Sequence, residues 1–537
     1  MGVGDSARGG QRDHRGGDLL TVTEVPRRRA ARVALLATVF VCAACGLVYE
    51  LALVALGSYL IGDTVGQASI VVSLMVFAMG VGALAAKPLQ RRAAVSFAVV
   101  ELVLALLGGL SVLLLYAAFA WLSLYTPALI VMALVLGALI GAEIPLLMVL
   151  LQRIRRQDAG SAVADLFAAD YVGALLGGLA FPFVLLPVFG QIEGALLVGI
   201  VNALAGLGLV LTVFRAELGR RAKAALILAA VAVGGVLTGA YLLAEDFEVT
   251  ARQALYADPV VHAERTPYQD IVVTEAVSLT GNRDVRLFLN GDLQFSSVDE
   301  YRYHEAMVHP AMSGPKRDNV LVLGGGDGLA LREVLRYPDV KSVTLVELDP
   351  AVVALARTDP RLSELNRHAF DDPRVAVRTE DAFGWLRSNT DRYDVVLVDM
   401  PDADSTATAK LYSVEFYGLV DRAMADHGRM VVQAGSPFFA PKAFWCVETT
   451  LRAAGVHSVA YQVSVPAFGE WGFHLGARGG VPALTLPPGM PLRSLDQASL
   501  AVAATFPPDR RRPADLPAST LMNPVILGFA REEWTNY

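Results

Sequence analysis

Long stretches of the first 244 residues carry almost no charge, and this uneven distribution constrains the fold more than any other feature of the chain. A helix that crosses a bilayer needs about 20 apolar residues. Runs of that length fall at 33–60, 66–87, 95–121, 127–151, 164–189, 191–214 and 224–244. They predict an α-helical transmembrane domain over 33–244 with about seven spans. Charged residues become frequent after Glu245, so the chain divides into two parts that face different solvents. The mean hydropathy of +0.47 is higher than one soluble enzyme would show.

The loops between the runs alternate in charge. Lys87, Arg91 and Arg92 follow the second run, Arg153, Arg155 and Arg156 the fourth, and Arg215, Arg220, Arg221 and Lys223 the sixth. Turns near Gly62, Leu124 and Gly190 have no basic residue. Residues 1–32 are polar and end in Arg27, Arg28, Arg29 and Arg32, which predicts a disordered basic tail. The positive-inside rule assigns that tail and the basic loops to the cytoplasm. Seven spans would then leave the second half outside, against the cytoplasmic placement that the motifs of that half favour. The fifth run carries Asp165, Asp170, Gly177, Gly178, Pro182 and Pro187 and reads as a broken or re-entrant helix.

Glu50, Glu101, Glu143, Asp165 and Asp170 lie in or beside these runs. Carboxylates are costly in hydrocarbon, so they read either as paired or interfacial groups or as part of an amine or transport path. Gly173 and Gly177 read as helix-packing contacts. Cys42 and Cys45 form a CxxC with no second pair or His cluster nearby, which predicts small packing residues rather than zinc ligands. With Cys446 as the only other cysteine, no disulfide framework is expected. The net charge of −7 offers no basic stripe for a phosphate backbone and argues against a nucleic-acid partner.

From 245 the pattern changes. YQDIVVTEAVS and RDVRLFLNGDLQFS flank an Asn290-Gly291 step, a hairpin signature, and predict a small β subdomain over 245–310. NVLVLGGGDGLALREVL, SVTLVELD, VAVRTEDAFGWL, YDVVLVDMPD and GRMVVQAG then alternate short apolar strands with helices. This predicts an α/β Rossmann-like domain over 311–480 with a doubly wound parallel sheet. Gly324, Gly325 and Gly326 follow a strand and open a helix, where glycine lets a nucleoside approach the backbone. Glu347 ends the next strand, the position from which an acid bonds ribose hydroxyls. Asp327 would oppose a phosphate or carboxylate yet attract an ammonium. Ligands in such sheets bind outside the carboxyl ends of strands, so Gly324–Asp327, Glu347, Asp381 and Asp399 should converge.

In order, YQDI (268–271), LNGDLQ (289–294), DEYRYHE (299–305), GGGDG (324–328), VELD (346–349), EDA (380–382) and DMPD (399–402) resemble the polyamine aminopropyltransferase (spermidine synthase) family over about 210 residues. VYEL (48–51) and DYVGALLGG (170–178) resemble its membrane-bound, multi-span branch. The resemblance implies transfer of a 3-aminopropyl group from decarboxylated S-adenosylmethionine to a diamine, typically putrescine, giving spermidine and methylthioadenosine. It implies no metal and no cofactor, the sulfonium nucleoside being a co-substrate. By motif position, Asp399 and Tyr303 would be catalytic. Gln269, His304, Asp327, Glu347, Asp381, Ala382 and the three glycines would bind the donor, and Asp402, Gln294, Tyr412 and Gln433 the acceptor. ADSTATAKLYS after Asp402 lacks the family's Gly-Pro-Ala, which leaves acceptor identity open. Two other readings share these residues: a small-molecule methyltransferase, and a non-catalytic membrane polyamine sensor or transporter. Expected partners are small amines, the nucleoside and membrane lipid; a homo-oligomer follows only by analogy. Residues 481–537 read as a Pro-rich extension with a short docking helix and a basic run at Arg510, Arg511 and Arg512.

Overall fold

The computed structural model describes residues 21–61, 64–154, 159–277, 281 and 283–534. It divides into two compact units, up to Leu255 and from Tyr256 onward. The tail up to residue 20, the turn at Gly62, and Arg155 and Arg156 lie outside the described residues.

The first unit is helical: α1 (Thr21–Ile61), α2 (Thr64–Ala85), α3 (Ala93–Ala117), α4 (Tyr125–Ile154), α5 (Ala159–Ala180), α6 (Leu186–Thr212), α7 (Arg220–Leu242) and α8 (Ala244–Leu255). Two expectations need correction at its start and end. The segment 21–32, expected to be disordered, continues α1 because Arg and Ala are strong helix formers that extend an apolar run. Residues 245–255, expected at the head of the β subdomain, are helical and belong to this unit, with Phe247 edge-on to Tyr116 and Trp121.

Among the described residues, six helices rather than seven are long and apolar enough to cross a membrane. The fifth and sixth runs merge into one stretch of 50 residues, Val163–Thr212. A straight helix of that length would measure about 75 Å, more than twice a hydrocarbon core of about 30 Å. It is not straight. Pro182 and Pro187 withhold backbone donors, Phe181–Leu185 widens into a π-helical turn, and Gly190 leaves helical geometry with φ 71°. Helix α5 lies against α1 closely enough that a Cβ at Gly173 would stand 2.1 Å from the Phe40 carbonyl oxygen, so these small residues do serve helix packing. Asp165 pairs with Arg32 at 2.6 Å.

The second unit begins with an antiparallel sheet of β1 (Val260–Arg265), β2 (Asp270–Val277), β3 (Arg283–Leu289) and β4 (Asp292–Ser296). Asn290 and Gly291 both adopt positive φ, the conformation a two-residue hairpin turn requires. Next come α9 (Glu300–Met312), β5 (Asn319–Gly324), α10 (Leu329–Val334), β6 (Ser342–Glu347), α11 (Pro350–Thr358), α12 (Pro360–Leu365), β7 (Val375–Thr379), α13 (Ala382–Ser388) and β8 (Tyr393–Asp399). The chain ends with α14 (Thr406–Ala409), α15 (Val414–Ala423), β9 (Met424–Gln433), α16 (Pro441–Ala453), β10 (His457–Val465), β11 (Gly469–Ala477), α17 (Gln497–Ala503) and α18 (Val525–Trp534).

The large sheet has the order β10-β11-β9-β8-β5-β6-β7. It is mixed rather than wholly parallel: β11 runs antiparallel to both β9 and β10. The few residues between β10 and β11 cannot make the crossover that parallel strands need, so they form a hairpin. Successive strand residues face opposite cores. Val320, Val322, Val395 and Leu397 pack with α9 and α10, while Leu321, Leu323, Val396 and Val398 pack with α15 and α16. Both faces are therefore buried, and the strands read as continuous apolar runs.

Candidate active site

The chain leaves β5 toward β6 on one side and β8 toward β9 on the other, so the strand order reverses between β5 and β8. In open α/β sheets the crevice forms at that point. Gly324, the last residue of β5, stands in register with Asp399, the last residue of β8. Gly324 has φ 82°, and a Cβ there would lie 2.0 Å from the Asp399 carbonyl oxygen. At Gly326 it would lie 2.8 Å from Glu347 Oε2. The glycine loop is thus pressed between two acids, each carried by a strand end.

Helix α9 supplies the opposite wall. The Tyr303 hydroxyl donates to Asp399 Oδ1 at 2.6 Å. His304 Nδ1 sits 2.8 Å from the Glu300 carbonyl and 2.9 Å from its carboxylate, which fixes the ring. Glu300 in turn accepts two bonds of 2.9 Å from Arg332 of α10, all in a buried setting. The Asp327 carboxylate caps the start of α10 through the Leu329 amide at 2.8 Å.

Burial, helped by the charge of Asp327, pushes Asp399 up to about 6 against the opposing effects of His304 and Tyr303. Burial raises Asp327 as well, with His304 pulling it down. Glu347 rises to about 7 through burial, opposed by the Asp349 and Leu348 amides. Burial alone would lower His304, yet it goes up because Glu300, with Asp327 and Asp399, outweighs burial. A crevice of carboxylates held above their usual range is poised to gain from a cationic ligand.

A second group adjoins it. Gln433, at the end of β9, directs its amide nitrogen to Asp402 at 3.1 Å, to the Tyr412 hydroxyl at 2.7 Å and to the Met400 carbonyl. Its amide oxygen accepts from Trp471 Nε1 at 3.1 Å and from Gly435 at 3.0 Å. Burial sets Asp402 at about 6, with Gln433 lowering it and Asp404 and Asp292 raising it. Asp292 also stands at about 6, through burial and then Asp404.

The spermine/spermidine synthase domain family matches residues 300–481. The whole chain is 61% identical to polyamine aminopropyltransferase 1 of Streptomyces coelicolor, over 95% of this chain and 96% of that one. The chain belongs to the polyamine aminopropyltransferase family. It is also 47% identical to the polyamine aminopropyltransferase of Mycobacterium tuberculosis, over 94% of this chain and 97% of the relative. A solved spermidine synthase in complex with the transition-state analogue AdoDATO is similar to it with a TM-score of 0.39 and 24% identity, over 52% of this chain and 89% of that one.

In this aminopropyltransferase the predicted residues fall into three groups. Asp399, Tyr303, His304, Asp327, Glu347 and the three glycines meet at the switch point, and Asp402, Tyr412 and Gln433 form the adjoining cluster. Others bond elsewhere. Asp381 caps α13 through Gly384 at 2.9 Å and pairs with Lys410 at 3.0 Å, next to buried Ala382. Gln269 donates to Asp349 at 3.1 Å and Gln294 to the Asp292 carbonyl at 3.1 Å. Sequence reasoning missed Glu300, Arg332, Asp292 and Trp471. Glu300 was legible in principle, one helical turn before His304 within DEYRYHE.

Proposed function

We propose that this enzyme transfers the 3-aminopropyl group of decarboxylated S-adenosylmethionine to putrescine, forming spermidine and methylthioadenosine. The observation that carries this reading is the 2.6 Å bond from Tyr303 to Asp399 at the switch point, beside Asp327. A neutral amine nitrogen attacks the methylene carbon next to sulfur, the C–S bond breaks, and its electrons return the sulfonium to a thioether. The nitrogen sheds a proton. Asp399 accepts or orients it, with Tyr303 fixing the carboxylate. The glycine loop and Glu347 hold the nucleoside ribose, Asp327 the aminopropyl ammonium, and Gln269, His304, Asp381 and Ala382 the rest of the donor. Asp402, assisted by Gln433, Tyr412 and Gln294, holds the far ammonium of the acceptor. Holding both reactants in line supplies most of the acceleration, and the leaving group needs no cofactor to activate it.

The apolar helices are read as crossing a membrane, because large side chains such as Phe77, Leu228 and Val231 face outward, each at least two-thirds exposed. The chemistry favours a catalytic unit in the cytoplasm, where the nucleoside donor is made. The test is product analysis of the full-length protein with decarboxylated S-adenosylmethionine and a panel of amines. Spermidine from putrescine supports the reading. Turnover with another amine alone would reassign the acceptor, and protease digestion of intact cells that removes the second unit would overturn its placement.

A further inference from the structure

The first unit contains a cluster that aminopropyl transfer does not use. Cys42 of α1, Glu101 of α3 and Glu143 of α4 present one sulfur and two carboxylate oxygens that all lie within 4.8 Å of one another. Asn202 of α6 donates to Glu101 Oε2 at 2.9 Å. Four helices therefore meet at one polar point inside an apolar bundle. None of the four side chains is more than 5% exposed.

Native folds satisfy the great majority of buried polar atoms. Here Glu101 Oε1, Glu143 Oε1, Asn202 Oδ1 and the hydroxyl of buried Tyr49 have no hydrogen-bond partner among the described residues. Tyr49 lies within electrostatic reach of Cys42, Glu101 and Glu143. No Lys or Arg occurs in α3 or α6. Arg32 of α1 is engaged by Asp165, and Arg153 of α4 by Glu217. Two buried carboxylates without a basic partner must carry protons or hold a cation.

We propose that Cys42, Glu101, Glu143 and Asn202 form a site for one divalent metal ion of the zinc class at the centre of the helical unit. The thiol selects this occupant. An ammonium or an alkali ion would gain from the carboxylates but nothing from sulfur, whereas zinc takes thiolate and carboxylate together, with Asn202 orienting Glu101 through its amide nitrogen. Ligand distances of about 2.0–2.3 Å set neighbouring donors of a tetrahedral ion about 3.5 Å apart, a modest contraction from the 4.8 Å within which these atoms lie. Binding replaces the thiol proton and the protons the two carboxyl groups carry, all of which leave to solvent, with sulfur–metal and oxygen–metal bonds. A metal here fastens α1, α3, α4 and α6 to one another.

The test uses the full-length protein in detergent, stripped by a chelator and titrated with Co²⁺. The expected result is one Co²⁺ per chain, with a thiolate-to-cobalt charge-transfer band in the near ultraviolet that Zn²⁺ abolishes. The double variant Cys45→Ser/Cys446→Ser, which leaves Cys42 untouched, should keep the band. Glu143→Gln should weaken binding at least tenfold while eluting as the same particle in gel filtration. Absence of stoichiometric Co²⁺ or loss of the band in the double variant would each overturn the proposal.

Discussion

Asp399 ends a strand, accepts the Tyr303 hydroxyl, and is raised to about 6 by burial and the charge of Asp327. Asp402 stands at about the same value. A carboxyl protonated below that value can neither take a proton nor hold an ammonium. Activity should therefore be lost as pH falls through about 6, and the logarithm of kcat/KM should fall with a slope steeper than one because two acids titrate together. Asp399→Asn should lower kcat about 10²-fold and reduce that slope toward one; an unchanged rate at saturating donor would remove Asp399 from proton transfer. Asp327→Asn should bind ordinary S-adenosylmethionine more tightly, since its carboxylate no longer meets a like charge. Competition binding that still rejects it would contradict the charge argument. Glu347 and Asp399 were legible because each closes an apolar strand in a recognisable string, and Asp327 because it follows the glycine run after another. Arg332 was not, because its partner Glu300 is 32 positions away and only the packing of α9 on α10 brings them together.

Among the elements, α16 has no capping side chain at its own N-terminus, where Ala440 precedes Pro441. Glu533 of α18 takes that role. Its carboxylate accepts from Lys442 at 3.0 Å and from Ala443 at 3.2 Å, so the chain's last described helix satisfies donors left open by one 90 residues earlier. Glu533→Ala should destabilise the enzyme by about 1 kcal/mol, the usual worth of a helix cap. A thermal midpoint unmoved by the substitution would show that α18 docks through its apolar face alone. A docking helix was expected from the sequence, but its target could not be, because capping across elements leaves no local spacing to read. The same limit hid the antiparallel β10–β11 pair. Neither strand was among the strings read as strands from the sequence, which predicted a wholly parallel sheet. In the helical unit, two prolines and a glycine marked the break in Val163–Thr212, whereas its continuity depended on a π-helical turn with no sequence signature.

For the whole molecule, charge density changes after Glu245 in the sequence, and the two compact units divide after Leu255. The convergence at Cys42 was not foretold, since Cys42, Glu101, Glu143 and Asn202 come from four helices and share no spacing. The catalytic crevice, by contrast, gathers Asp292, Asp327, Glu347, Asp399 and Asp402 in one place, all raised above their usual range chiefly by burial. Raising ionic strength should weaken capture of a polyammonium acceptor, so kcat/KM falls. If escape limits turnover, kcat should rise over the same range, and steady-state assays in graded salt read both; a flat kcat would place the slow step in chemistry. Each turnover converts an acceptor amine into one with an additional ammonium. A crevice lined with this many acids therefore clings more strongly to what it makes than to what it consumes.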